Sequence, residues 1–255
     1  MTSDEIATLI DLIWNADETV AMTGAGISTA SGIPDFRGEN GIWGREFDPS
    51  AFHRYRFETD PAGFWQDRLR LQERLFGDSI GHNEAHRALC QLESMGFLEA
   101  VITQNTDGLH RQAGSESVIE LHGNASQASC DDCGHRIPAA AAFDLVRDGH
   151  TPPPCARCSG VLKPDVVLFG ESLPRDRLQE AGVLLDRCDL VIVAGSSLEV
   201  EPAASLPTRT VRKGGDLVII NFDPTPLDRS ATLVLNADVT EVLPTVVAEL
   251  ERITA

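Results

Sequence analysis

Short apolar runs alternate along this chain with segments whose apolar residues recur at helical spacing. The apolar runs have the length of strands and lie at about 19–23, 98–103, 118–121, 189–194, 216–221 and 232–235. Most of them are continuously apolar, which is typical of parallel strands covered on both faces. The segments that predict helices lie at about 62–76, 83–95, 176–186, 202–213 and 239–253. This alternation predicts an α/β fold with a doubly wound, Rossmann-like parallel sheet.

Two stretches break the alternation. One, 38–81, is rich in aromatic and charged residues around a single predicted helix, and the other, 124–162, contains two cysteine pairs and a proline-rich segment. We interpret both as insertions, one helical and one zinc-binding, that pack together as a small domain. The Rossmann-like domain would then consist of residues 1–37, 82–123 and 163–255.

Charge and composition narrow the classes of function. The net charge is −18, and only two of the 21 lysine and arginine residues are lysines. Such acidity disfavours direct nucleic-acid binding, and no apolar run reaches the roughly 18 residues of a membrane span. Residues 1–5 lack the basic start of an export signal. We therefore expect a cytoplasmic protein, monomeric and without a membrane anchor, whose acidic surface serves either solubility or life in a salt-rich cytoplasm.

The first apolar run leads into a turn that begins like a dinucleotide-binding fingerprint. Gly24 and Gly26 lie where a pyrophosphate requires a close turn, but Thr29 occupies the third glycine position. Gly32 and Pro34 then stop any helix within about two turns. The polar loop that follows carries Asp35, Phe36 and Arg37. This departure from the dehydrogenase pattern predicts a cofactor that is consumed rather than used as a hydride carrier.

Polar residues follow the second apolar run, at 103–108. The carboxyl end of a strand is where ligands bind in an open α/β sheet. The side chains of Gln104, Asn105 and Asp107 offer the donors and acceptors that a nicotinamide carboxamide needs. A helix N-cap or an Asx-turn would account for one such residue. Four polar residues in a row favour a binding site.

The third apolar run ends at His122, which glycine follows. A lone histidine is more often structural, and that interpretation applies to the other six histidines of the chain. Because His122 lies at the predicted ligand-binding edge and can accept a proton near neutral pH, it is the natural general base.

Three further segments carry candidate binding residues. Gly195-Ser196-Ser197 ends one strand and can approach a phosphate or ribose closely, and Asn221 and Asp223 end the next and could bind ribose hydroxyls. Residues 163–171 read Lys-Pro-Asp-Val-Val-Leu-Phe-Gly-Glu. They form either an exposed edge to which an extended peptide adds as a strand, or an ordinary buried strand.

The cysteines predict a metal site. Cys130 and Cys133 form one Cys-x2-Cys pair, and Cys155 and Cys158 form another, with 21 residues between them. In a chain without an export signal, this spacing indicates a Zn²⁺ ion held by four thiolates rather than disulfides. With four protein ligands, the ion would be structural. A redox role for either pair is the alternative.

With these motifs in order, the sequence resembles the sirtuins, NAD-dependent protein-lysine deacylases. The resemblance runs from the first glycine turn to the last strand. It rests on residues 24–28, 32–37, 104–107, 121–123, 163–171 and 195–198, together with both cysteine pairs.

The resemblance implies that NAD is a co-substrate. The carbonyl oxygen of an acyl-lysine would attack C1′ of the nicotinamide ribose as nicotinamide leaves. His122 would then deprotonate a ribose hydroxyl that attacks the resulting imidate, and Asn105 would assist catalysis. The products would be free lysine, nicotinamide and O-acyl-ADP-ribose. The implied partner is therefore an acetylated protein or peptide.

The resemblance also implies contacts for each part of NAD and of the acyl-lysine. The cofactor-binding residues would be Gly24, Ala25, Gly26, Ser28, Ile33, Asp35, Phe36, Arg37, Gln104, Asn105, Asp107, Gly195, Ser196, Ser197, Asn221, Asp223 and Val239. Val167 and Phe169 would line the acyl-lysine tunnel, while Gly170 and Glu171 would pair with the peptide backbone. The zinc would stay remote from the chemistry.

One departure bears on the acyl group. Sirtuins that remove succinyl or malonyl groups place a Tyr-x-x-Arg pair on the helix after the cofactor loop. The single tyrosine of this chain is Tyr55, and Glu58 stands where that arginine would be. We therefore expect a neutral, acetyl-type preference, with longer neutral acyl groups as an alternative.

Other functions stay open on the sequence alone. A mono-ADP-ribosyltransferase on the same scaffold would consume NAD without an acylated peptide. A noncatalytic NAD-sensing module would not need Asn105, Asp107 and His122 together. A dehydrogenase is disfavoured by the first loop.

Overall fold

The structure is a computed structural model that describes residues 2–35, 41–76 and 80–255. Its main element is a six-stranded sheet in which all neighbouring strands are parallel. Numbered in chain order, its strands are β1 (Thr19–Thr23), β2 (Ala100–Thr103), β3 (Val118–Glu120), β7 (Leu190–Ala194), β8 (Asp216–Ile220) and β9 (Leu233–Leu235). Their order in the sheet is β3-β2-β1-β7-β8-β9. The predicted doubly wound, Rossmann-like sheet is confirmed.

A second, antiparallel sheet has three strands in the order β5-β4-β6. These strands are β4 (Gly123–Cys130), β5 (Arg136–Pro138) and β6 (Leu162–Val166). The apolar pattern did not predict β4, because that strand alternates buried residues with polar ones such as Asn124 and Ser129. Since β4 begins next to His122 and ends at Cys130, it connects the edge of the main sheet to the first cysteine pair.

Helices cover both faces of the main sheet. One face carries α1 (Ser3–Asn15), α4 (Glu84–Ser94) and α9 (Val239–Thr254), and the other carries α7 (Arg175–Arg187) with the short α8 (Thr208–Arg212). Within β1, Ala21 joins the core of the first face, while Val20 and Met22 join the core of the second. Both faces of the sheet are therefore shielded from solvent by helices, which explains why the strands are continuously apolar.

The remaining helices lie beside the small sheet and the site. They are α2 (Arg54–Thr59), α3 (Pro61–Leu75), α5 (Leu109–Ala113) and α6 (Ala139–Arg147). Phe64 and Trp65 of α3 share an apolar core with Phe143 of α6. The Trp65 indole Nε1 also donates to the Leu162 carbonyl at 2.8 Å. These contacts join segments that the sequence placed in two separate insertions.

One predicted helix is shorter than the pattern suggested. Of the predicted 202–213 segment, only Thr208–Arg212 forms a helix, and 201–207 is a series of turns. Pro202 and Pro207 lack the amide hydrogen that a longer helix would use at those positions. Within the described ranges, no helix has the length and apolarity needed to cross a membrane.

Candidate functional site

The strand order reverses between β1 and β7, so the crevice at their carboxyl ends is the expected ligand site of this fold. The turns after these two strands interlock. The Gly26 amide donates to the Gly195 carbonyl at 2.8 Å, and a Cβ on Gly26 would lie 2.8 Å from that oxygen. Gly195 has φ +62°, and a Cβ there would lie 2.3 Å from the Ile27 nitrogen. The glycines therefore serve contact between the two turns as well as close approach to a ligand.

The turn after β1 continues as a short 3-10 helix, Ala25–Ser31, which ends at Gly32 in the left-handed conformation. This agrees with the expectation that Gly32 stops the helix early. Ile33 follows and is buried with Phe52 and Leu109. The Asp35 carbonyl accepts a hydrogen bond from Ile42 at 3.1 Å. Two predicted NAD contacts, Phe36 and Arg37, lie outside the described residues.

Ser28, Asn105 and Asp107 form one hydrogen-bonded cluster, in which Ser28 and Asn105 are buried and Asp107 is half-buried. The Ser28 hydroxyl donates to Asp107 Oδ2 at 2.7 Å, and Asn105 Nδ2 donates to Ser28 Oγ at 3.1 Å and to the Gly24 carbonyl at 3.0 Å. Burial raises the pKa of Asp107, although hydrogen bonds from the Leu109 amide, Ser28 and Asn105 oppose this rise. The cluster fixes one carboxylate and one amide beside the glycine turn, as a carboxamide ligand would require.

His122 lies at the end of β3, half-buried, and its tautomer follows from its neighbour. Its Nδ1 lies 3.0 Å from the Gln104 carbonyl oxygen. Because a carbonyl only accepts, Nδ1 carries the proton of the neutral ring and Nε2 carries the lone pair. The His122 carbonyl in turn accepts from the Val167 amide at 2.9 Å. The ring is therefore held in the form that can accept a proton.

The predicted adenosine-side residues follow β7, β8 and β9 along the same edge. Ser196 is buried and accepts from Gln104 Nε2 at 2.9 Å, while Ser197 is exposed. Asn221 Nδ2 donates to the Asp223 carbonyl at 2.7 Å, so its amide shapes the turn after β8. Val239 is the first residue of α9, where aligned amides favour negative charge. Ala25, which the resemblance places under the pyrophosphate, lies half-exposed in the first turn.

The segment 167–171 directly follows β6 and is already partly paired with other parts of the chain. The Phe169 amide donates to the Phe52 carbonyl at 3.2 Å, and its carbonyl accepts from Arg54 at 2.8 Å. Its ring packs 5.8 Å from Trp43. Gly170 is exposed with φ +82°, and a Cβ there would clash with the His53 ring. One edge of this segment is therefore occupied by the protein itself.

Glu171 is engaged inside the protein. Its carboxylate accepts from Lys163 Nζ at 3.1 Å, from the Leu168 amide at 2.8 Å and from Arg54 Nη1 at 3.0 Å. Its own amide donates to the Leu168 carbonyl. The contacts of the Glu171 carboxylate hold the 167–171 segment in place, and the pairing with a peptide backbone that the resemblance implies for Glu171 stays a prediction.

The four cysteines converge as a metal site requires. All four Sγ atoms lie within 4.8 Å of one another, with 3.5 Å between Cys130 and Cys158 and 3.6 Å between Cys133 and Cys155. A tetrahedron of Zn–S bonds of about 2.3 Å has sulfurs separated by roughly 3.8 Å, so the thiols fit a Zn²⁺ ion. Amides of Arg157 and Gly160 point at the sulfurs of Cys155 and Cys158. Since eight residues of mostly extended chain separate His122 from Cys130, the ion would lie up to roughly 26 Å from His122.

The sequence assigned two histidines of this region to an ordinary structural role. His86 lies 3.4 Å from Ser28 Oγ, and His110 lies 2.8 Å from Thr23 Oγ1, so both border the cluster around Asn105. One signal could have found His86, because it lies on the buried face of α4 among Ala85, Ala88 and Leu89. A polar side chain on such a face needs a buried partner.

Comparison with known proteins gives the same picture over nearly the whole chain. A model of the Sir2 family matches residues 24–202. An NAD-dependent protein deacetylase of Haloarcula marismortui is 49% identical over 98% of this chain and 95% of its own length. An NAD-dependent protein deacetylase of Thermotoga maritima is 44% identical over 94% of this chain and 96% of its own.

Solved structures agree with these sequence matches. A Sir2 complex with a p53 peptide and NAD+ superposes with a TM-score of 0.87 at 41% identity, covering 97% of this chain and 99% of that one. A Sir2 structure bound to an acetylated peptide gives a TM-score of 0.85 at 40% identity, covering 96% and 98%. From its sequence, its sheet order and its cysteine cluster, the chain belongs to the Sir2 family.

Proposed function

We propose that the chain is an NAD-dependent protein-lysine deacetylase, which cleaves NAD to nicotinamide and transfers the acetyl group from lysine to ADP-ribose. The observation that carries this proposal is that a proton-accepting His122 and the Ser28–Asn105–Asp107 cluster lie at the same sheet edge. Relatives at 40–49% identity are named as NAD-dependent protein deacetylases or deacylases. A base alone would suit many reactions, whereas a base beside a carboxamide-binding cluster suits release of nicotinamide.

Each group of residues has a role in this proposal. Asn105, Asp107 and Ile33 hold the nicotinamide, and Ser28 fixes the two polar side chains relative to each other. His122 accepts a proton from a ribose hydroxyl through Nε2. Gln104 is hydrogen-bonded to His122 through its carbonyl and to Ser196 through its side-chain amide. It therefore links the base to the turn that would bind the ribose and phosphates.

The rest of the cofactor lies along the sheet edge in this proposal. The turns at Gly24, Ala25, Gly26 and Gly195 approach the pyrophosphate, and Asp35 is a further cofactor contact. Ser196, Ser197, Asn221, Asp223 and the backbone at Val239 hold the adenosine half. Phe36 and Arg37 keep the roles predicted from the sequence.

The acyl-lysine enters beside the 167–171 segment. Val167 lies next to His122, because its amide donates to the His122 carbonyl at 2.9 Å. Phe169 adds an aromatic wall with Trp43. We propose these two residues as the walls of the acyl-lysine tunnel and the Gly170 backbone as a contact for the peptide. Glu171 supports this segment through its contacts with Lys163 and Arg54.

The proposal extends to organisation and surroundings. A Rossmann-like domain of residues 1–37, 82–123 and 163–255 binds NAD, and the insertions 38–81 and 124–162 form a small domain around the zinc. Cys130, Cys133, Cys155 and Cys158 hold one structural ion, which ties the two Cys-x2-Cys turns of the insertion together. The enzyme acts as a monomer in the cytoplasm on acetylated protein, without binding nucleic acid.

Nicotinamide release from NAD tests the function. We expect release only when an acetyl-lysine peptide is present, with one O-acetyl-ADP-ribose formed per deacetylated lysine. His122→Asn can still donate to the Gln104 carbonyl but cannot serve as the base, so it should lose at least about a hundredfold in rate. His150→Ala removes an exposed histidine and should match the unmodified enzyme.

Two results would contradict the deacetylase. Release of nicotinamide without peptide, together with labelling of a protein by ADP-ribose, would favour the mono-ADP-ribosyltransferase. Absence of release under every condition, from a protein that is folded and binds NAD, would favour a sensing module.

A further inference from the structure

A buried polar layer lies beneath the Ser28–Asn105–Asp107 cluster. It contains His86 of α4 and His110 of α5, which are 0% and 2% exposed. The two rings meet edge to face with centroids 4.8 Å apart. None of the roles proposed above uses either histidine.

His110 reaches Asn105 through two threonines. Its Nε2 lies 2.8 Å from Thr23 Oγ1, and the Thr23 hydroxyl donates to Thr103 Oγ1 at 2.8 Å. Thr103 Oγ1 in turn accepts a hydrogen bond from the backbone amide of Asn105 at 3.0 Å. Thr23 and Thr103 are register partners at the ends of β1 and β2. Because the Thr23 hydroxyl donates to Thr103, its oxygen accepts from His110, and the proton of His110 is on Nε2.

His86 reaches the same cluster through Ser28. Its Nδ1 lies 3.3 Å from the Asn83 amide nitrogen, a donor, and 3.0 Å from Asn83 Oδ1, an acceptor, so these contacts alone do not fix its tautomer. Nε2 lies 3.4 Å from Ser28 Oγ, and because the Ser28 hydroxyl already donates to Asp107, we place the His86 proton on Nε2. Ser28 Oγ thus accepts from His86 and from Asn105 Nδ2. With both lone pairs occupied, the single hydroxyl hydrogen of Ser28 is directed at Asp107.

Both histidines stay neutral at working pH. Burial lowers the pKa of His86 to about 4, with smaller contributions from His82 and Arg87, and burial with the neighbouring His86 lowers the pKa of His110 to about 3. A neutral ring with one fixed proton is a directional donor, which suits it to orient a hydroxyl rather than to exchange protons.

We propose that His86 and His110 are positioning residues of the nicotinamide site, fixing Ser28 from one side and the backbone of Asn105 from the other. The inference rests on the proposed function, since it assigns these residues to the binding of the nicotinamide end of NAD. It predicts that loss of either histidine weakens the binding of NAD and of nicotinamide without weakening the binding of the peptide.

The test compares phenylalanine and glutamine at each position. His86→Phe and His110→Phe keep a ring but remove the donor. They should raise both the KM for NAD and the nicotinamide concentration that halves the rate by roughly tenfold or more, with the KM for peptide within about twofold. His86→Gln and His110→Gln retain an amide donor and should recover part of the loss. Because both residues act on one cluster, the double phenylalanine variant should lose less than the product of the two single losses.

Thr210→Val is the matched control. Thr210 is fully buried and donates to the Leu185 carbonyl at 2.8 Å on α7, away from the cluster, so its loss has a similar structural cost. It should leave the KM for NAD and the nicotinamide response unchanged. A phenylalanine variant that resembles Thr210→Val in every parameter would overturn the inference.

Two further measurements keep the test decisive. If a phenylalanine variant does not fold, Thr23→Val breaks the His110 route with a side chain of nearly the same shape, and an unchanged KM for NAD there would count against the proposal. Calorimetric binding of NAD and of nicotinamide to the same variants needs no turnover. Weakened binding in an enzyme without deacetylase activity would support the positioning role while refuting the proposed function.

Discussion

At the scale of single residues, Glu171 holds together parts of the chain that lie far apart in sequence. Its carboxylate meets Arg54 of α2, Lys163 of β6 and the Leu168 amide. Lys163 is only 9% exposed, so removing the Glu171 charge takes away the ion-pair partner of a nearly buried cation, which keeps a hydrogen bond to the Val166 carbonyl at 2.8 Å. We expect Glu171→Gln to lower the free energy of unfolding by roughly 2 kcal/mol at neutral pH.

The effect of Glu171 should depend on pH in a defined direction. Burial alone would raise its pKa, but the Leu168 amide, Lys163 and Arg54 outweigh burial and lower the pKa below the ordinary 4.5. Its stabilisation is therefore present above pH 4.5 and is lost as the pH falls through the lower, folded value. Urea unfolding at pH 7 and pH 3.5 should show the difference between Glu171→Gln and the unmodified protein shrinking in acid. Glu249→Gln, at a half-exposed side chain, should show little difference at either pH, and a constant difference for Glu171→Gln would contradict this account.

The acyl preference is also decided by single residues. Tyr55 is 69% exposed on α2, the α3 arginine Arg70 pairs with Asp67, and Arg68 is buried beside the Phe143 ring of α6. The side chains that share an apolar cluster with Phe169, such as Trp43 and Phe52, are uncharged. We expect an acetyl peptide to be turned over at least about tenfold faster than its succinyl counterpart.

Arg68→Met is the informative control for this preference. The ratio of acetyl to succinyl turnover should stay the same, because Arg68 packs at the interface of α3 with α6. An unmodified enzyme that prefers the succinyl peptide, and loses that preference in Arg68→Met, would show that Arg68 recognises the acyl carboxylate.

At the scale of elements, the zinc site and the base share β4. This strand runs from the residue after His122 to Cys130, so order at the metal end supports the position of the base. Purified protein should contain one Zn²⁺ per chain, and Cys155→Ser should lower the zinc content and the Tm together. Cys90→Ser, at a half-buried cysteine outside the cluster, should change neither. Full zinc content in Cys155→Ser would refute the four-thiolate site.

Some helices and strands could be predicted from the sequence, and others could not. The six strands of the main sheet were predicted within about two residues, because burial on both faces makes each strand a continuous apolar run. The small sheet was not predicted, since β4 alternates polar and apolar residues and depends on its partners β5 and β6. The 202–213 helix was predicted too long because its apolar spacing outweighed Pro202 and Pro207.

At the scale of the whole molecule, the site arises from contacts that no local pattern contains. The sequence predicted polar residues at the strand ends, but the interlock of Gly26 with Gly195 depends on β1 lying next to β7, about 170 residues later. The buried histidine layer likewise joins α4 and α5 beneath two strand ends. The residue types at the strand ends indicated which groups would form the site. The order of the strands in the sheet determines how close those groups lie to one another.

The acidic surface should make the stability of the whole molecule depend on salt concentration. A net charge of −18 on 255 residues makes the folded chain repel itself. Salt also screens the surface ion pairs, such as Arg252 with Glu249, but exposed pairs of this kind contribute about 0–1 kcal/mol each. Since excess like charge outweighs these pairs, added salt should stabilise the fold on balance. We expect the Tm to rise by several degrees as KCl increases from low concentration to 1 M, where the Debye length falls to about 3 Å.

The shape of that rise separates screening from other effects of salt. Screening of charges is nearly complete once the Debye length is shorter than their spacing, so the Tm should climb steeply at first and level off near 1 M. Sucrose stabilises by exclusion from the protein surface and should give a steady, roughly linear rise instead. A variant with four exposed, unpaired acids changed to glutamine should start from a higher Tm in low salt and gain less from KCl. A Tm that is flat or falling with KCl would mean that the ion pairs outweigh the repulsion, and the acidic surface would then serve solubility alone.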